Sequence, residues 1–185
     1  MTETERNVTG QFLAEGRDSQ LLIRHAVIAD VPALTAVERQ CFPPAEAATE
    51  EQIRARVQSY GDHFWLLQQG NRIISFVDGM VTEEPDLTDR MYEEADLHNP
   101  DGSWQMIFGV NTIPAKRRKG YAGRLLREAI RQARQESRRG LVLTCKEQLI
   151  PYYAGFGFVS EGLSASVHGN VTWYQMRLNF ADQKE

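Results

Sequence analysis

The sequence predicts one mixed α/β domain in which helices pack against a sheet. Segments of strand-like pattern alternate with segments of helical spacing, in the order strand, two helices, three strands, helix, strand, helix, two strands. The chain of 185 residues, 42% of them hydrophobic, is long enough to bury a substantial core. We therefore expect a flexible tail over residues 1–18 and a single domain over residues 19–185.

The first strand and helix follow from local signals. The segment LLIRHAV, starting at Leu21, has the apolar character of a strand. Asp30 stands at an N-cap position and Pro32 in the first turn of a helix, after which apolar residues recur at spacings of three and four. Pro43 and Pro44 cannot continue that helix, so we expect it to end before them.

A second helix and a hairpin follow. Thr49 and Gln52 have the spacing of a capping box, which predicts a helix from there through Val57. The segment HFWLLQQGNRIISFVDGMV, residues 63–81, predicts two strands joined by a tight turn at Gln-Gly-Asn.

The middle of the chain combines an acidic segment with an apolar strand. Residues 82–103, here called the acidic segment, predict a short helix around Leu87 to Leu97 and a solvated face, with a substrate-facing role as the alternative. The next segment, WQMIFGVNTI, predicts a strand, and Gly109 inside it indicates a bulge or a close backbone approach.

The last third predicts an amphipathic helix and three strands. Apolar residues between Ala122 and Ala133 keep helical spacing, and Gly140 is expected to end that helix. LVLTC predicts a buried strand, and Pro151 the first turn of a short helix. Two final strands are expected around Phe158 to Glu161 and Thr172 to Leu178.

Composition narrows the class of partner. A formal net charge of −4 argues against a general nucleic-acid binder. Cys41 and Cys145 lie far apart and outside any metal-ligand pattern, as expected of two buried thiols in a reducing compartment and of a protein without a metal site. The sequence has no membrane-spanning apolar run, and its N-terminus is polar. We therefore expect a cytoplasmic protein with no membrane partner.

The strongest functional motif is PAKRRKGYAG, residues 114–123, here called the basic loop. Four basic residues precede two glycines and an alanine at the start of an apolar helix. Helix N-termini with small residues bind phosphate groups, because their first amides lack internal partners and the helix dipole is positive there. The loop matches neither the Walker pattern nor the dinucleotide fingerprint. A solvated surface is the alternative interpretation of such a cluster taken alone.

Context favours the phosphate interpretation. RRKGYA, residues 117–122, has the Arg/Gln-x-x-Gly-x-Gly/Ala pattern of the GNAT superfamily of acyl-coenzyme A N-acyltransferases. IRHAVIADVPAL at residues 23–34 and PYYAGFGF at residues 151–158 resemble the opening and closing segments of that superfamily. The resemblance covers roughly residues 20–180. It implies a largely antiparallel central sheet flanked by helices, and acetyl-coenzyme A as the cosubstrate.

The resemblance also implies where the cosubstrate binds. Acetyl-coenzyme A would lie in a V between the strand ending at Ile113 and LVLTC, with the Asn111 backbone amide facing the thioester oxygen. Such an amide stabilises developing negative charge. The implied cofactor-binding residues are Asn111, Thr112, Ile113, Arg117, Arg118, Lys119, Gly120, Tyr121, Ala122 and Gly123.

Within the superfamily, the chain most resembles the arylalkylamine (serotonin) N-acetyltransferases and their microbial relatives, through CFPPAEAAT, RMYEEADLH, LTCKEQLIPYYAGFGF and HGNVTWYQMRL. Tyr153 matches the tyrosine that serves there as general acid. Two histidines of those enzymes are replaced by Ile107 and Gly109, which cannot accept a proton. Glu46 is the candidate base or amine contact, with an exposed loop carboxylate as the alternative.

The acceptor is predicted to be a small primary amine. Phe42, Pro43 and Pro44 offer a rigid apolar surface that suits an aryl or alkyl group. Polyamines or a protein amine are the alternative acceptors, because the acidic segment would attract cations. A non-catalytic acyl-coenzyme A binding protein is the alternative outside enzymes. The expected assembly is a monomer or a homodimer.

Overall fold

The structure is a computed structural model that describes residues 11–12 and 21–183. Within these residues the helices are α1 (Val31–Cys41), α2 (Glu50–Tyr60), α3 (Asp89–Glu93), α4 (Tyr121–Gln135) and α5 (Ile150–Ala154). The strands are β1 (Gln11–Phe12), β2 (Leu21–His25), β3 (Phe64–Gln69), β4 (Arg72–Asp78), β5 (Val81–Thr82), β6 (Trp104–Ile107), β7 (Gly109–Thr112), β8 (Gly140–Cys145), β9 (Val159–Leu163) and β10 (Tyr174–Asn179). The mixed α/β class is confirmed.

The strands form two five-stranded halves, ordered β1-β2-β3-β4-β7 and β5-β6-β8-β10-β9. All pairings are antiparallel except that of β6 with β8, which is parallel. α1 and α4 both pack against β4 and β7. They lie on opposite faces of the sheet. On one face Asp78 accepts a hydrogen bond from Arg56 of α2, which packs against α1, and on the other face Trp65 donates to Gln132 of α4. The expected largely antiparallel sheet flanked by helices is confirmed.

The predicted strand WQMIFGVNTI is interrupted at Phe108. Before that residue, β6 runs parallel to β8 as far as the pair Ile107 and Leu143. After it, β7 pairs with β4, starting with Gly109 opposite Asp78. The Phe108 amide donates to the Asp78 carbonyl at 2.7 Å, which fixes the change of partner. The expected irregularity is thus present, and because of it β7 and β8 diverge.

Two helix starts were predicted from caps. Thr49 and Gln52 form the reciprocal capping box, and α2 runs three residues beyond the expected end, to Tyr60. Asp30 occupies the N-cap position of α1, but its carboxylate makes no capping bond. Instead, both Asp30 oxygens accept hydrogen bonds from Arg24 at 2.7 Å, which ties the helix start to β2.

The expectation that Gly140 ends the long helix is wrong. α4 ends at Gln135, and Ser137 takes the left-handed conformation with φ 58°. Gly140 is the first residue of β8 instead. A Cβ on Gly140 would lie 1.9 Å from the Leu178 carbonyl oxygen, so glycine is required there by the close approach of β10.

The remaining predictions concern the acidic segment and the chain ends. The acidic segment forms α3 and a 3-10 turn over Ala95–Leu97, shorter than the single helix predicted. Its acidic side chains are largely exposed. Most of the predicted tail over residues 1–18 lies outside the described residues, although Gln11–Phe12 pair with β2. Within residues 21–183, no helix has both the length and the apolar character needed to cross a bilayer.

Candidate active site

A cavity of about 920 Å³ opens where β7 and β8 diverge. Most residues predicted from the sequence line it: Phe42, Pro43, Glu46, Thr112, Arg117, Arg118, Gly120, Tyr121, Ala122, Gly123 and Tyr153. The structure does not bring four of the predicted residues into its wall: Pro44, Asn111, Ile113 and Lys119. The fold therefore gathers the basic loop, the segment after α1 with Phe42 and Pro43 (here called the proline loop) and α5 around one space.

The backbone of β7 explains why two of these residues are outside the wall. The Ile113 amide donates to a carbonyl of β4 at 3.0 Å, and the Asn111 carbonyl accepts from a serine hydroxyl of β4 at 2.6 Å. The Thr112 carbonyl instead accepts from the Arg117 guanidinium, at 3.1 Å. Because donors alternate between the two edges of a strand, the amides of Val110 and Thr112 face the cavity. The Asn111 amide, predicted to face the thioester oxygen, therefore points towards β4, and the amides on either side of it point into the cavity.

The basic loop delivers backbone amides to the cavity. Gly120 and Arg118 both have left-handed φ values, 79° and 65°. The Arg124 amide donates to the Gly120 carbonyl at 3.1 Å as the first bond of α4, so the amides of Ala122 and Gly123 lack an acceptor within the helix. Apart from its chain neighbours, no atom of the described residues lies within 4 Å of the position a Cβ would take on Gly120. An anionic group can therefore approach this backbone closely.

Tyr153 presents a protonated phenol. The side chain is 6% exposed and packs edge-on against Tyr152 and Phe158, with ring centroids 5.1 and 6.1 Å away. Burial raises the pKa of Tyr153 well above its ordinary value, and the neighbouring Tyr152 and Cys145 raise it further. A phenol in this state can donate a proton at neutral pH. Burial also raises the pKa of the Cys145 thiol to about 11, which agrees with the expected inert thiol.

Aromatic and polar side chains line another part of the cavity. Glu46 is ion-paired with Lys146 at 3.0 Å, while its other oxygen is buried without a hydrogen-bond partner among the described residues. The His168 ring stacks on Tyr92 with centroids 4.7 Å apart, and its Nε2 lies 3.0 Å from the Glu46 carbonyl. Trp173 donates its indole N–H to the His168 carbonyl at 2.8 Å. This wall offers both flat apolar surface and charge.

A group of buried polar residues, here called the carboxylate cluster, lies between α1, α2 and the sheet. Its members are Glu38, Arg56, Asp78 and Asn111. Arg56 lies 3.4 Å from Asp78, and Glu38 accepts from the Ala48 amide at 3.0 Å. Burial raises the pKa of Glu38 to about 7 and that of Asp78 to about 6. Both carboxyl groups therefore titrate near neutrality, and Glu38 and Arg56 line the cavity.

Sequence reasoning missed these carboxylates, although one left a signal. Glu38 falls inside the apolar stripe of α1, between Leu34, Val37 and Cys41, where a helical side chain must be buried. A carboxylate at such a position is unusual. His168 left no comparable signal, because its partners come from distant segments of the chain.

Comparisons with known proteins identify relatives of this chain. The chain is 27% identical over 107 residues to the serotonin N-acetyltransferase of Mesocricetus auratus, a match that covers 57% of this chain and 50% of that protein. The chain thus spans about half the length of this curated relative. The loading GNATL domain of CurA from Lyngbya majuscula superposes with a TM-score of 0.76 at 16% identity, covering 88% of this chain and 99% of that one.

A second solved structure, a GNAT family acetyltransferase from Brucella melitensis in complex with acetyl-CoA, superposes with a TM-score of 0.57 at 17% identity. It covers 89% of this chain and 91% of the other. At these identities the two structures show the shared fold. The model of the acetyltransferase (GNAT) family matches residues 31–158, more than half of the chain. The chain belongs to the GNAT acetyltransferase family.

Proposed function

We propose that this protein is an N-acetyltransferase that moves the acetyl group of acetyl-coenzyme A directly to a small primary amine, most suitably an arylalkylamine. The observation that carries the proposal is the cavity, whose wall holds the helix α4 amides, the Tyr153 phenol and an aromatic surface. Membership of the GNAT family and the similarity to a serotonin N-acetyltransferase support it.

The cosubstrate fits the basic loop and the edge of β7. The amides of Ala122 and Gly123 and the left-handed Gly120 would hold the diphosphate, with Arg118 adding positive charge. The Val110 amide would donate to the thioester oxygen, where it stabilises the negative charge that develops during attack. The basic side chains thus hold the cosubstrate while the strand orients its reactive end.

Tyr153 would serve as the general acid. A thiolate leaves more readily when it is protonated as the carbon–sulfur bond breaks. The raised pKa of Tyr153 keeps the proton on the phenol until that step. Positioned acids of this kind contribute about 10²- to 10⁴-fold to rate.

The acceptor would bind against the aromatic wall. Phe42, Pro43, Tyr92 and Trp173 line the cavity and can cover an aryl or alkyl group. A polyamine or protein amine is the second candidate acceptor, because Glu93 of the acidic segment also lines the cavity and would attract a cation.

A panel of amines tests this proposal. The purified protein is incubated with acetyl-coenzyme A and each amine, and thiol release is followed for wild type and Tyr153→Phe. We expect turnover with an aryl-bearing amine, a fall in kcat of about 100-fold in the variant, and unchanged cosubstrate affinity by calorimetry. Tyr174→Phe, on β10 and outside the cavity wall, is the matched control and should behave as wild type.

Two outcomes would contradict the proposal in different ways. Preference for spermidine over phenethylamine would replace the aryl acceptor by a polyamine. Tight binding of acetyl-coenzyme A without turnover of any amine would indicate a non-catalytic acyl-coenzyme A binding protein. Ile107 and Gly109 make that alternative worth testing, because neither can accept a proton.

A further inference from the structure

The carboxylate cluster reaches the cavity through Glu38. This side chain is 6% exposed and lies in the cavity wall together with Gly109. A Cβ built on Gly109 would lie 2.7 Å from both the Asn111 side-chain nitrogen and an Asp78 carboxylate oxygen. The space beside the glycine is therefore occupied by polar atoms, although the strand supplies no titratable side chain there.

Groups from each packed element face Glu38. Asp78 approaches from β4, Arg56 from α2, Asn111 from β7, and the Ala48 amide from the segment before α2. Arg56 also donates to the Tyr92 carbonyl at 2.7 Å, so its guanidinium is shared between a carboxylate and the backbone. Two buried carboxyl groups thus face one guanidinium, and they compete for its charge.

A purely structural role does not require the charge on Glu38. Its observed hydrogen bond is accepted from the Ala48 amide by one oxygen, and glutamine would accept that bond equally well. A buried carboxylate is costly when ionised. The Asn111 side chain is fully buried, with neither its oxygen nor its nitrogen in a well-formed hydrogen bond to any described residue. The cluster therefore keeps hydrogen-bonding capacity beside the cavity.

Glu46, a second carboxylate in the cavity wall, is less available to an amine. Its Oε1 lies 3.0 Å from Lys146 Nζ, so this oxygen is already engaged in an ion pair. Among the described residues, no lysine forms an ion pair with Glu38.

We propose that Glu38 is the proton acceptor for the amine, directly or through one water, and that Asp78, Arg56 and Asn111 are positioning residues that hold it ready. The inference rests on the proposed function. Glu38 takes one proton from the ammonium group, and the freed nitrogen forms a bond to the acyl carbon. The carbon–sulfur bond breaks as Tyr153 protonates the sulfur. The remaining excess proton on nitrogen returns to Tyr153, and Glu38 releases its own to solvent.

The electrostatics agree with this assignment. The pKa of Glu38 is raised to about 7: burial has the largest effect and the nearby Asp78 also raises it, while the Ala48 amide, Arg56 and Asn111 act in the opposite direction. A base whose pKa lies near the working pH accepts protons most effectively. An alkylamine, with a pKa of about 10.4, is almost fully protonated at neutral pH and needs a group that accepts its proton before it can attack.

The test is the pH dependence of kcat/KM with the best amine of the panel. Wild type should gain activity as pH rises through about 7. Glu38→Gln should lose that acidic limb and about 100-fold in kcat/KM near neutral pH, and regain activity at alkaline pH as free amine accumulates. Glu38→Asp should partly restore the limb. Asp78→Asn should move it to lower pH, which a merely structural residue would not do.

The controls separate the possible failures. Glu51→Gln, on the exposed side of α2, should leave the profile unchanged, and cosubstrate affinity should persist in Glu38→Gln. An unaltered limb in Glu38→Gln, or its loss in Glu46→Gln alone, would overturn the assignment while leaving the transferase intact. A wild type that acetylates no amine would overturn the proposed function and this inference together.

Discussion

Replacing Glu38 with glutamine is expected to stabilise the folded protein at alkaline pH. The pKa of Glu38 rises from 4.5 to about 7 because the side chain is buried next to Asp78. Since the folded state holds this proton more tightly than the unfolded state, stability is greatest below the unfolded pKa and is lost as pH rises through the folded value. At about 1.4 kcal/mol per tenfold change in acidity, the loss approaches about 3 kcal/mol.

Glutamine removes this loss because it cannot ionise, and it keeps the bond from the Ala48 amide. We expect Glu38→Gln to exceed wild type in unfolding free energy by about 3 kcal/mol near pH 8.5, and by less than about 1 kcal/mol near pH 5. Urea denaturation followed by tryptophan fluorescence at both pH values measures the difference. Glu51→Gln provides the matched exposed carboxylate. Parallel pH profiles for wild type and Glu38→Gln would refute the reasoning, because the carboxyl group would then titrate normally.

Three further changes test other parts of the structure. Tyr153→Phe should lower kcat about 100-fold without changing acetyl-coenzyme A affinity, measured by thiol release and calorimetry. Gly120→Val should abolish cosubstrate binding, because φ is 79° at this position and a residue with a Cβ is strained there. The circular dichroism spectrum should stay native, because no described atom obstructs the added side chain. Unchanged affinity would show that the diphosphate does not bind at this loop. Thr49→Ala should cost about 1 kcal/mol in urea denaturation by breaking the capping box, with Glu51→Gln as the neighbouring control.

Local signals in the sequence were sufficient for most elements. The capping box at Thr49, the stripe of α4 and the small residues of the basic loop each depend on neighbours within a few positions. Such patterns have a local physical cause, so these elements and the position of the basic loop before α4 could be predicted. Gly140 shows the limit. Its glycine satisfies a close approach by β10, a contact between residues far apart in sequence.

The candidate site was predictable where backbone chemistry decides it and obscure where packing does. The basic loop could be recognised from its composition, and Tyr153 from the motif around it. The proximity of the Glu38 and Asp78 carboxyl groups depends on how α1 lies across β4, which no local sequence pattern encodes. The direction of the Asn111 and Val110 amides has the same origin, since it depends on which edge of β7 meets β4.

Because the strand breaks at Phe108, the edges of β7 and β8 face each other across open space, and their backbone groups are open to an extended ligand. The proposed cosubstrate would lie between these edges like an added strand, held by backbone groups that every amino acid carries. Side-chain substitutions along β7 would then change the affinity for the cosubstrate only weakly, whereas side chains of the proline loop and the aromatic wall could vary without affecting it. If the cosubstrate binds as proposed, backbone groups would recognise it, and side chains would select the amine acceptor.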